Sequence, residues 1–192
     1  MNFDFSPNKN ILPTRGKVLL SEPFLDDPYF KRTVVLLCEH NHEGSFGFVL
    51  NNYIDVNLDQ IVDDMPIFPS KISIGGPVRS SNLYYIHTLG ETIEDSMEIL
   101  PGLYMGGDFE NLRKLMLEGK VQKDQVRFFV GYSGWSPDQL KGEIDQNAWF
   151  VSDIEMQTVM DTDIEDLWKY IMKKLGRKGE MIANLPEDPT LN

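Results

Sequence analysis

Five consecutive apolar residues, Val34-Val35-Leu36-Leu37-Cys38, constrain the fold of this sequence more than any other segment. Successive side chains of a β-strand point to opposite faces of the sheet, so both faces of such a strand must be covered. The segment is therefore predicted to be a central strand. Hydrophobic residues make up 41% of the 192-residue chain, which is enough to bury a core of this kind without disulfides.

Further short runs of β-branched, aliphatic and aromatic residues, bounded by turn residues, predict more strands. Gly44 is predicted to close a hairpin between the strand that ends near Glu39 and the strand that starts near Phe46. Several strands are joined by segments too short for a helical crossover, which favours antiparallel or mixed pairing. The other predicted strands are Val18 to Leu20, Phe46 to Leu50, Ile72 to Ile74, Leu83 to His87, Val126 to Tyr132 and Trp149 to Ser152.

Four segments carry helix signals, and strands outnumber them, so the predicted class is α+β. Asp108 is a good N-cap for a helix over Phe109 to Glu118, and Gly119 can end it. Two capping boxes and an amphipathic segment ended by Pro66 predict the other three. One helix is predicted to begin at Ser136-Pro137-Asp138-Gln139 and to run through Ile144. A second is predicted to begin at Thr162-Asp163-Ile164-Glu165 and to end at Gly176. The third is predicted to cover Asn57 to Met65.

The chain shows no internal repeat and no Gly/Ser-rich linker, so residues 1–192 are expected to form one domain. The first residues, 1–14, are expected to form an extended N-terminal arm. Residues 185–192, which include Pro186 and Pro189, are expected to form an extended tail.

Thirty acidic residues against eighteen Lys and Arg give the chain a net charge of −12. A field of this sign repels phosphate backbones and anionic lipids, so direct nucleic-acid binding and membrane binding are not expected. The basic run from Lys173 to Lys178 is interpreted as a solvated helix terminus. The single Cys38, the lack of a secretory leader and the lack of an apolar stretch of 18 residues indicate a cytoplasmic protein.

Cys38, His40 and His42 alternate along the chain, so on a regular strand they could converge on a metal ion. Asn41 favours a turn, which would break that alignment. A nucleophilic pair of Cys38 with His40 or His87 is the alternative, but the apolar run before Cys38 predicts a buried, unreactive thiol. The sequence therefore predicts no catalytic residue, no metal site and no cofactor.

The segment Gly131-Tyr132-Ser133-Gly134-Trp135 is similar to a hydrolase nucleophile elbow but has Trp135 where that motif needs glycine. Its glycines are interpreted as allowing a sharp exit from a strand. Polar and aromatic groups near glycine-shaped strand ends are nevertheless a candidate surface for a ligand or partner. That surface comprises His40, Asn51, Gly76, His87, Asp108, Tyr132, Ser133, Trp135 and Gln139.

Several short motifs together resemble the YqgE/AlgH family of bacterial proteins. They are Gly16 to Leu20, Asp27 to Phe30, Thr33 to His40, Gly47 to Asn51, Gly75 to Val78, Tyr104 to Asp108 and Gly131 to Trp135 with Gln139-Leu140. The resemblance spans nearly the whole chain. It implies a mixed α+β fold with a strongly bent, partly barrel-like sheet flanked by about four helices, and a family without an established enzymatic activity. Some members are labelled transcriptional regulators through a link to exopolysaccharide control.

The chain departs from that family pattern at Asn52, Asp138 and Lys141. Asn52 follows Asn51 at a position where the family frequently has a basic residue. Asp138 stands where the family has a glycine, and Lys141 stands where it has an acidic residue. Because the charge at Lys141 is reversed, this chain is not expected to share with the family a polar pairing around the short helix that depends on that position.

Two functional hypotheses follow from these patterns. The first is a non-catalytic regulatory or protein-interaction module, in which any role in transcription is indirect and runs through an unidentified protein partner. The second is a small-molecule-binding protein or an uncharacterised enzyme with a site near His40, His87 and the Tyr132–Trp135 turn. A homodimer formed through an exposed hydrophobic strip is a third, structural alternative.

Overall fold

The computed structural model describes residues 11–186. Within this range ten strands form one sheet, accompanied by five α-helices and two single 3₁₀ turns at Leu58–Gln60 and Gly90–Thr92. The strands are β1 (Val18–Ser21), β2 (Val34–Asn41), β3 (Gly44–Val49), β4 (Tyr53–Ile54), β5 (Ile72–Ile74), β6 (Val78–His87), β7 (Met97–Leu100), β8 (Leu103–Met105), β9 (Val126–Trp135) and β10 (Trp149–Ser152). The helices are α1 (Phe109–Leu117), α2 (Gln139–Asp145), α3 (Met156–Met160), α4 (Leu167–Lys174) and α5 (Gly176–Ala183).

The strand order is β10-β1-β2-β3-β9-β6-β8-β7, with β5 also on β9 and β4 on β5. The β5–β9 pair is parallel and the other described pairs are antiparallel. Because β10 and β7 end the path without pairing to each other, this ten-stranded sheet is open. The α+β class and the mostly antiparallel, mixed sheet are confirmed.

Strand β2 is covered on both faces, as its unbroken apolar run predicts. Val34, Leu36 and Cys38 belong to one core cluster, which also contains Trp168 of α4. Val35 and Leu37 pack on the other side with Trp135, Leu140 and Trp149. The β2–β3 hairpin predicted at Gly44 is present, with His42 and Glu43 at its tip.

Strand β9 is a central strand of the sheet, since it pairs with β3, β5 and β6. Its last residue, Trp135, lies opposite Ser45 of β3, and its first residue, Val126, lies opposite His87 of β6. At about 3.3 Å per residue, nine residues of strand separate these two ends by roughly 30 Å. The position of a residue along β9 therefore decides which groups it can meet.

The caps of α1 match the sequence prediction. The Asp108 carboxylate accepts hydrogen bonds from the Glu110 and Asn111 amides at 3.0 and 3.1 Å. Gly119 ends the helix with a φ of +66°. Helix α2 also lies where it is predicted, and the Gln139 side chain accepts a hydrogen bond from the Ser136 amide at 3.0 Å, which is one half of the capping box.

Two helix predictions are wrong in extent. The segment Asn57 to Met65 forms one 3₁₀ turn, Leu58–Gln60, rather than a helix, and Asp64 near the end of the segment has a left-handed φ of +61°. Helix α4 begins after Asp166, whose carboxylate caps the Lys169 amide at 2.8 Å, and not at Thr162. Because a left-handed residue does not continue a right-handed helix, Asp64 is incompatible with a helix through Met65, and the Asp166 cap fixes the start of α4.

Sequence patterns miss β4, β7, β8, α3 and α5. The β7–β8 hairpin carries a readable signal, because Pro101-Gly102 separates two aliphatic runs and Gly102 has a φ of +81°. The 3₁₀ turns and the two-residue β4 are too short for periodicity to show.

The predicted N-terminal arm and C-terminal tail lie largely outside the described residues. Residues 11–14 form no regular secondary structure. Within residues 11–186, none of the helices is both long and apolar enough to cross a bilayer.

Candidate functional site

The candidate surface residues fall into two groups at opposite ends of β9. Gly76, Tyr132, Ser133, Trp135 and Gln139 lie at the Trp135 end, and His40 joins them through Ser45. His87 and Asp108 lie at the Val126 end, roughly 30 Å away along the strand. Asn51 lies in neither group.

At the Val126 end, the His87 ring is used within the fold. Its Nε2 bonds the Gly106 carbonyl at 3.0 Å, and its Nδ1 accepts from the Leu89 amide at 3.3 Å. The side chain is fully buried and stacks on Tyr104 at 5.8 Å between centroids. Burial lowers the pKa of His87, so the neutral ring that these two bonds require is favoured.

The neighbouring polar groups are similarly occupied. The Tyr85 hydroxyl donates to the Gly107 carbonyl at 2.8 Å, and burial together with the Asp108 charge raises the pKa of Tyr85 to about 12. Asp108 caps α1. The Val126 end therefore has its hydrogen-bonding groups directed into turns and caps.

Asn51 and Cys38 also have structural surroundings. The Asn51 side chain accepts from the Val34 amide and donates to the Arg32 carbonyl, both at 2.9 Å, which fastens the end of β3 to the start of β2. Cys38 is fully buried, and desolvation raises the pKa of its thiol. Among the described side chains, no three His, Cys, Asp or Glu residues come together in a way that could bind a metal ion.

At the Trp135 end, glycines let backbone pack directly on backbone. A Cβ on Gly76 would overlap the Tyr132 carbonyl and the Ser133 amide. The Ser133 hydroxyl is fully buried and donates to the Gly75 carbonyl at 2.9 Å. Ser133 therefore stabilises this crossing of strands and is not available as a nucleophile.

An open cleft of about 470 Å³, here called the hairpin cleft, lies between the β2–β3 hairpin and the end of β9. The Phe46 and Tyr132 rings line it and meet edge to face, with centroids 5.6 Å apart. Glu39 and Glu43 of the hairpin also line it. The Asn41 amide donates to Glu39 at 2.9 Å, and the Glu43 amide donates to Asn41 at 2.8 Å.

Beside the hairpin cleft, a serine of β3 contacts a histidine of β2. Ser45 belongs to the cleft lining but is only 8% exposed, and its hydroxyl lies 2.6 Å from Nδ1 of His40, which does not line the cleft. The two residues are cross-strand partners in the β2–β3 hairpin, which explains the short distance.

A second cleft of about 400 Å³, here called the tryptophan cleft, lies on the other side of Gly134 and Trp135. Its centre is the Glu143 carboxylate of α2. One oxygen, Oε2, accepts from the indole N–H groups of Trp135 and Trp149 at 2.8 and 2.7 Å. The other, Oε1, accepts from the Gln139 side chain at 2.9 Å.

Phe30 completes the aromatic lining of the tryptophan cleft. Its ring lies 5.4 Å from the Trp149 centroid and 6.3 Å from the Trp135 centroid. Asp27 lies at the rim, where its Oδ1 accepts from the Tyr29 and Phe30 amides at 2.8 and 3.1 Å. The loop before β2 thus adds a ring and a carboxylate to a cleft built by β9, β10 and α2.

The two clefts share one electrostatic character. Glu39 and Glu43 line the first, and Asp27 and Glu143 line the second. Among residues 11–186, no Lys, Arg or His lines either cleft. The acidic side chains therefore lie beside aromatic rings, and no basic residue of the described part of the chain shares their clefts.

Sequence reasoning missed Glu143, although a signal was available. Gln139 and Glu143 are four residues apart, so they share a face of α2, and Glu143 lies between the two tryptophans in the chain. The reversal of charge at Lys141 does not disturb the hydrogen bonds around this helix. Those bonds are accepted by Glu143, whereas the Lys141 side chain is exposed.

Arg127 is a second residue whose role is visible only in the structure. No sequence motif marks this arginine, yet it is only 1% exposed. Its guanidinium donates to the Val159 and Leu50 carbonyls, and burial lowers its pKa. It connects β9 to the loop after β3 and to α3, inside the core and away from both clefts.

The structure is an open-sheet α+β fold with two acidic, aromatic clefts at one end of β9. The family model described as AlgH-like matches residues 18–180, and the chain belongs to this family. It is 39% identical to a UPF0301 protein of Cytophaga hutchinsonii over 93% of this chain and 99% of that relative. It is 40% identical to a UPF0301 protein of Bacteroides thetaiotaomicron over 96% of this chain and 94% of that one.

Two solved structures share the fold. The AlgH protein from Pseudomonas aeruginosa matches with a TM-score of 0.71 and 25% identity, over 93% of this chain and 98% of that one. Protein DIP2367 from Corynebacterium diphtheriae matches with a TM-score of 0.77 and 23% identity, over 93% and 95% of the two chains. These relatives carry names without a stated activity, so a function must be argued from the residues.

Proposed function

We propose that this chain acts as a single-domain, non-catalytic interaction module whose hairpin cleft binds a basic segment of a partner protein. The observation that carries the proposal is the lining of that cleft, where two carboxylates lie beside two aromatic rings and no basic residue of the described chain neutralises them.

A Lys or Arg side chain has the chemistry that such a cleft fits. Its aliphatic stem can pack on the half-buried Phe46 and Tyr132 rings, while its charged head meets Glu39 or Glu43. The cleft is shallow and open, which suits a side chain presented by another protein. The chain's net charge of −12 would also steer a basic partner towards it.

The same charges favour an indirect role in any regulation of transcription. An acidic protein is repelled by DNA, so contact with a DNA-binding partner is the simpler route. Sequence-specific nanomolar binding to DNA at physiological salt, measured by fluorescence anisotropy, would contradict this part of the proposal. The buried, reduced Cys38 fits action in the cytoplasm.

A peptide titration tests the cleft directly. A short fluorescein-labelled peptide rich in Arg and Leu is titrated with the protein, and anisotropy reports binding. We expect the double variant E39Q/E43Q to weaken binding by about tenfold, with the loss shrinking at high salt. Glutamine keeps the acceptor that Asn41 uses, so the hairpin should stay folded.

The matched control is E91Q/E94Q, which removes the same two charges from exposed positions away from the hairpin cleft. It should leave the peptide affinity within about twofold of wild type. Equal affinity for the peptide with Gln at each Arg, or equal losses in both double variants, would contradict the proposal.

The Ser45–His40 contact favours a second candidate, an enzyme that uses Ser45 as a nucleophile. A hydroxyl 2.6 Å from an imidazole nitrogen has the first feature of an activated serine. A fluorophosphonate probe tests it, because an activated serine is labelled covalently. Labelling of wild type that is lost in S45A would favour the enzyme over the interaction module.

A further inference from the structure

We infer that the tryptophan cleft binds a guanidinium or primary ammonium group. The inference does not depend on the proposed function, because Phe30, Trp149, Asp27 and Glu143 do not line the hairpin cleft. It rests on the remaining hydrogen-bonding capacity of two carboxylates inside an aromatic cleft.

The Glu143 carboxylate is bonded only to neutral donors. Two indole N–H groups and one amide N–H group approach it at 2.7–2.9 Å, and no Lys or Arg in the described part of the chain forms an ion pair with it. Within residues 11–186, these three bonds therefore bring no positive charge to the carboxylate. A carboxylate has about four acceptor positions, so one remains, on Oε1.

Asp27 contributes a second acceptor to the same cleft. Its Oδ1 is occupied by the Tyr29 and Phe30 amides, whereas Oδ2 bonds to no other described residue. A cation between these carboxylates would find an unused acceptor on Asp27 and another on Glu143. Aromatic surroundings strengthen both attractions, because they lower the local dielectric constant and present ring electrons to the cation.

The remaining acceptors also select the type of cation. A guanidinium or primary ammonium group carries N–H donors that can use them, whereas tetramethylammonium has the charge but no donor. The cleft holds about 400 Å³, which is ample for one such group with its aliphatic stem. We therefore expect argininamide to bind more tightly than tetramethylammonium.

The indole resonances give a readout that is specific for this cleft. The chain has three tryptophans, and two of them donate their N–H groups to Glu143. The third, Trp168, is fully buried and donates to the Ser21 carbonyl at 2.9 Å, so it serves as an internal control. Argininamide should shift the Trp135 and Trp149 indole signals in a saturable manner and leave Trp168 unchanged.

The experiment is an ¹H–¹⁵N titration of the full chain with argininamide, with a peptide carrying a single Arg, and with tetramethylammonium at equal ionic strength. Saturation with argininamide supports a free cation as the ligand, and saturation with the peptide alone assigns the same group to a partner chain. Tetramethylammonium should need at least about tenfold higher concentration, since it cannot donate to either carboxylate.

Asp27→Asn is the discriminating variant, because asparagine keeps the Oδ1 acceptor of the loop and loses only the charge. It should weaken argininamide binding by about five- to tenfold, and the exposed neighbour Asp26→Asn should not change it. No saturable shift with argininamide or the peptide, or the same affinity in Asp27→Asn, overturns the inference. E39Q/E43Q should leave these shifts intact, which separates this result from a failure of the proposed function.

Discussion

The two ends of strand β9 are built from similar residues but use them differently. At the Val126 end, His87, Tyr85 and Asp108 bond to backbone groups of turns and of α1. At the Trp135 end, Glu143 accepts three side-chain N–H groups, all from neutral side chains, and Glu39 and Glu43 line an open cleft.

The difference lies in which groups are left to bind something else. A buried polar group whose hydrogen bonds are all made within the fold stabilises the structure and has little to offer a ligand. Carboxylates that lack a countercharge beside aromatic rings can gain by binding a cation. The Trp135 end is therefore the better functional candidate, although the histidine at the Val126 end looks more reactive in the sequence.

The largest expected effect is that of Gly76→Ala, which tests how tightly the Trp135 end is packed. A Cβ there would overlap the Tyr132 carbonyl and the Ser133 amide, and Gly76 has a φ of +152°, where other residues are strained. We expect the free energy of unfolding to fall by about 3 kcal/mol or more, measured by urea denaturation.

Gly106→Ala is the matched control at the Val126 end. Gly106 also has a positive φ, +64°, but a Cβ added there would meet no atom within 4 Å. Only the backbone strain of about 1 kcal/mol should appear. Equal losses in the two variants would mean that the close backbone approach at Gly76 does not matter.

The next effect compares one carboxylate from each end. Glu143→Ala leaves the indole N–H groups of Trp135 and Trp149 without acceptors on rings that are 6% and 3% exposed, so we expect a loss of about 2–3 kcal/mol. Asp108→Ala removes an N-cap, which should cost about 1 kcal/mol. Chemical denaturation measures both, and a larger loss for Asp108→Ala would reverse the comparison.

The smallest effect is a pH dependence specific to the Val126 end. Burial lowers the pKa of His87 below its ordinary value of 6.5, so the unfolded chain binds this proton more readily than the folded one. The stabilisation is complete above about pH 6.5 and is lost as the pH falls towards the pKa of the folded state. Between pH 7.5 and 5.5, the urea midpoint of wild type should therefore fall more than that of His87→Gln.

His42→Gln is the control for this measurement, because His42 is exposed at the tip of the β2–β3 hairpin. It should keep the wild-type pH dependence. An identical fall in the midpoint for wild type and His87→Gln would show that His87 is protonated equally in both states.

Much of the fold was predictable because strong local patterns coincide with the tertiary packing. The apolar run of β2, the Asp108 cap of α1 and the hairpin at Gly44 each satisfy local and global requirements at once. The predicted start of α4 is wrong because the segment offers two possible N-caps, Thr162 and Asp166, and the helix begins after the second. The shortest strands gave too few residues for any period to show.

The candidate site was predictable only in part. Tyr132 to Trp135 and Gln139 do lie beside the two clefts, although Tyr132 to Trp135 continue strand β9 and do not form the predicted strand exit, but His87 lies at the opposite end of β9. Neighbourhood in a sheet depends on strand order and register, which a single sequence does not reveal. Glu143 was missed although its spacing from Gln139 gave a local signal, whereas Asp27 joins the candidate site only when the fold brings it to Trp135 and Trp149, which lie far away in the chain.

The sequence by itself determined the α+β class, the two-sided central strand and the excess of negative charge. These follow from local periodicity and composition, which act over a few residues or over the whole chain. Tertiary structure alone decided where that charge is left without a countercharge. Pairing β9 with β3 and packing α2 on β10 brings Glu143 to Trp135 and Trp149, and such contacts depend on long-range register.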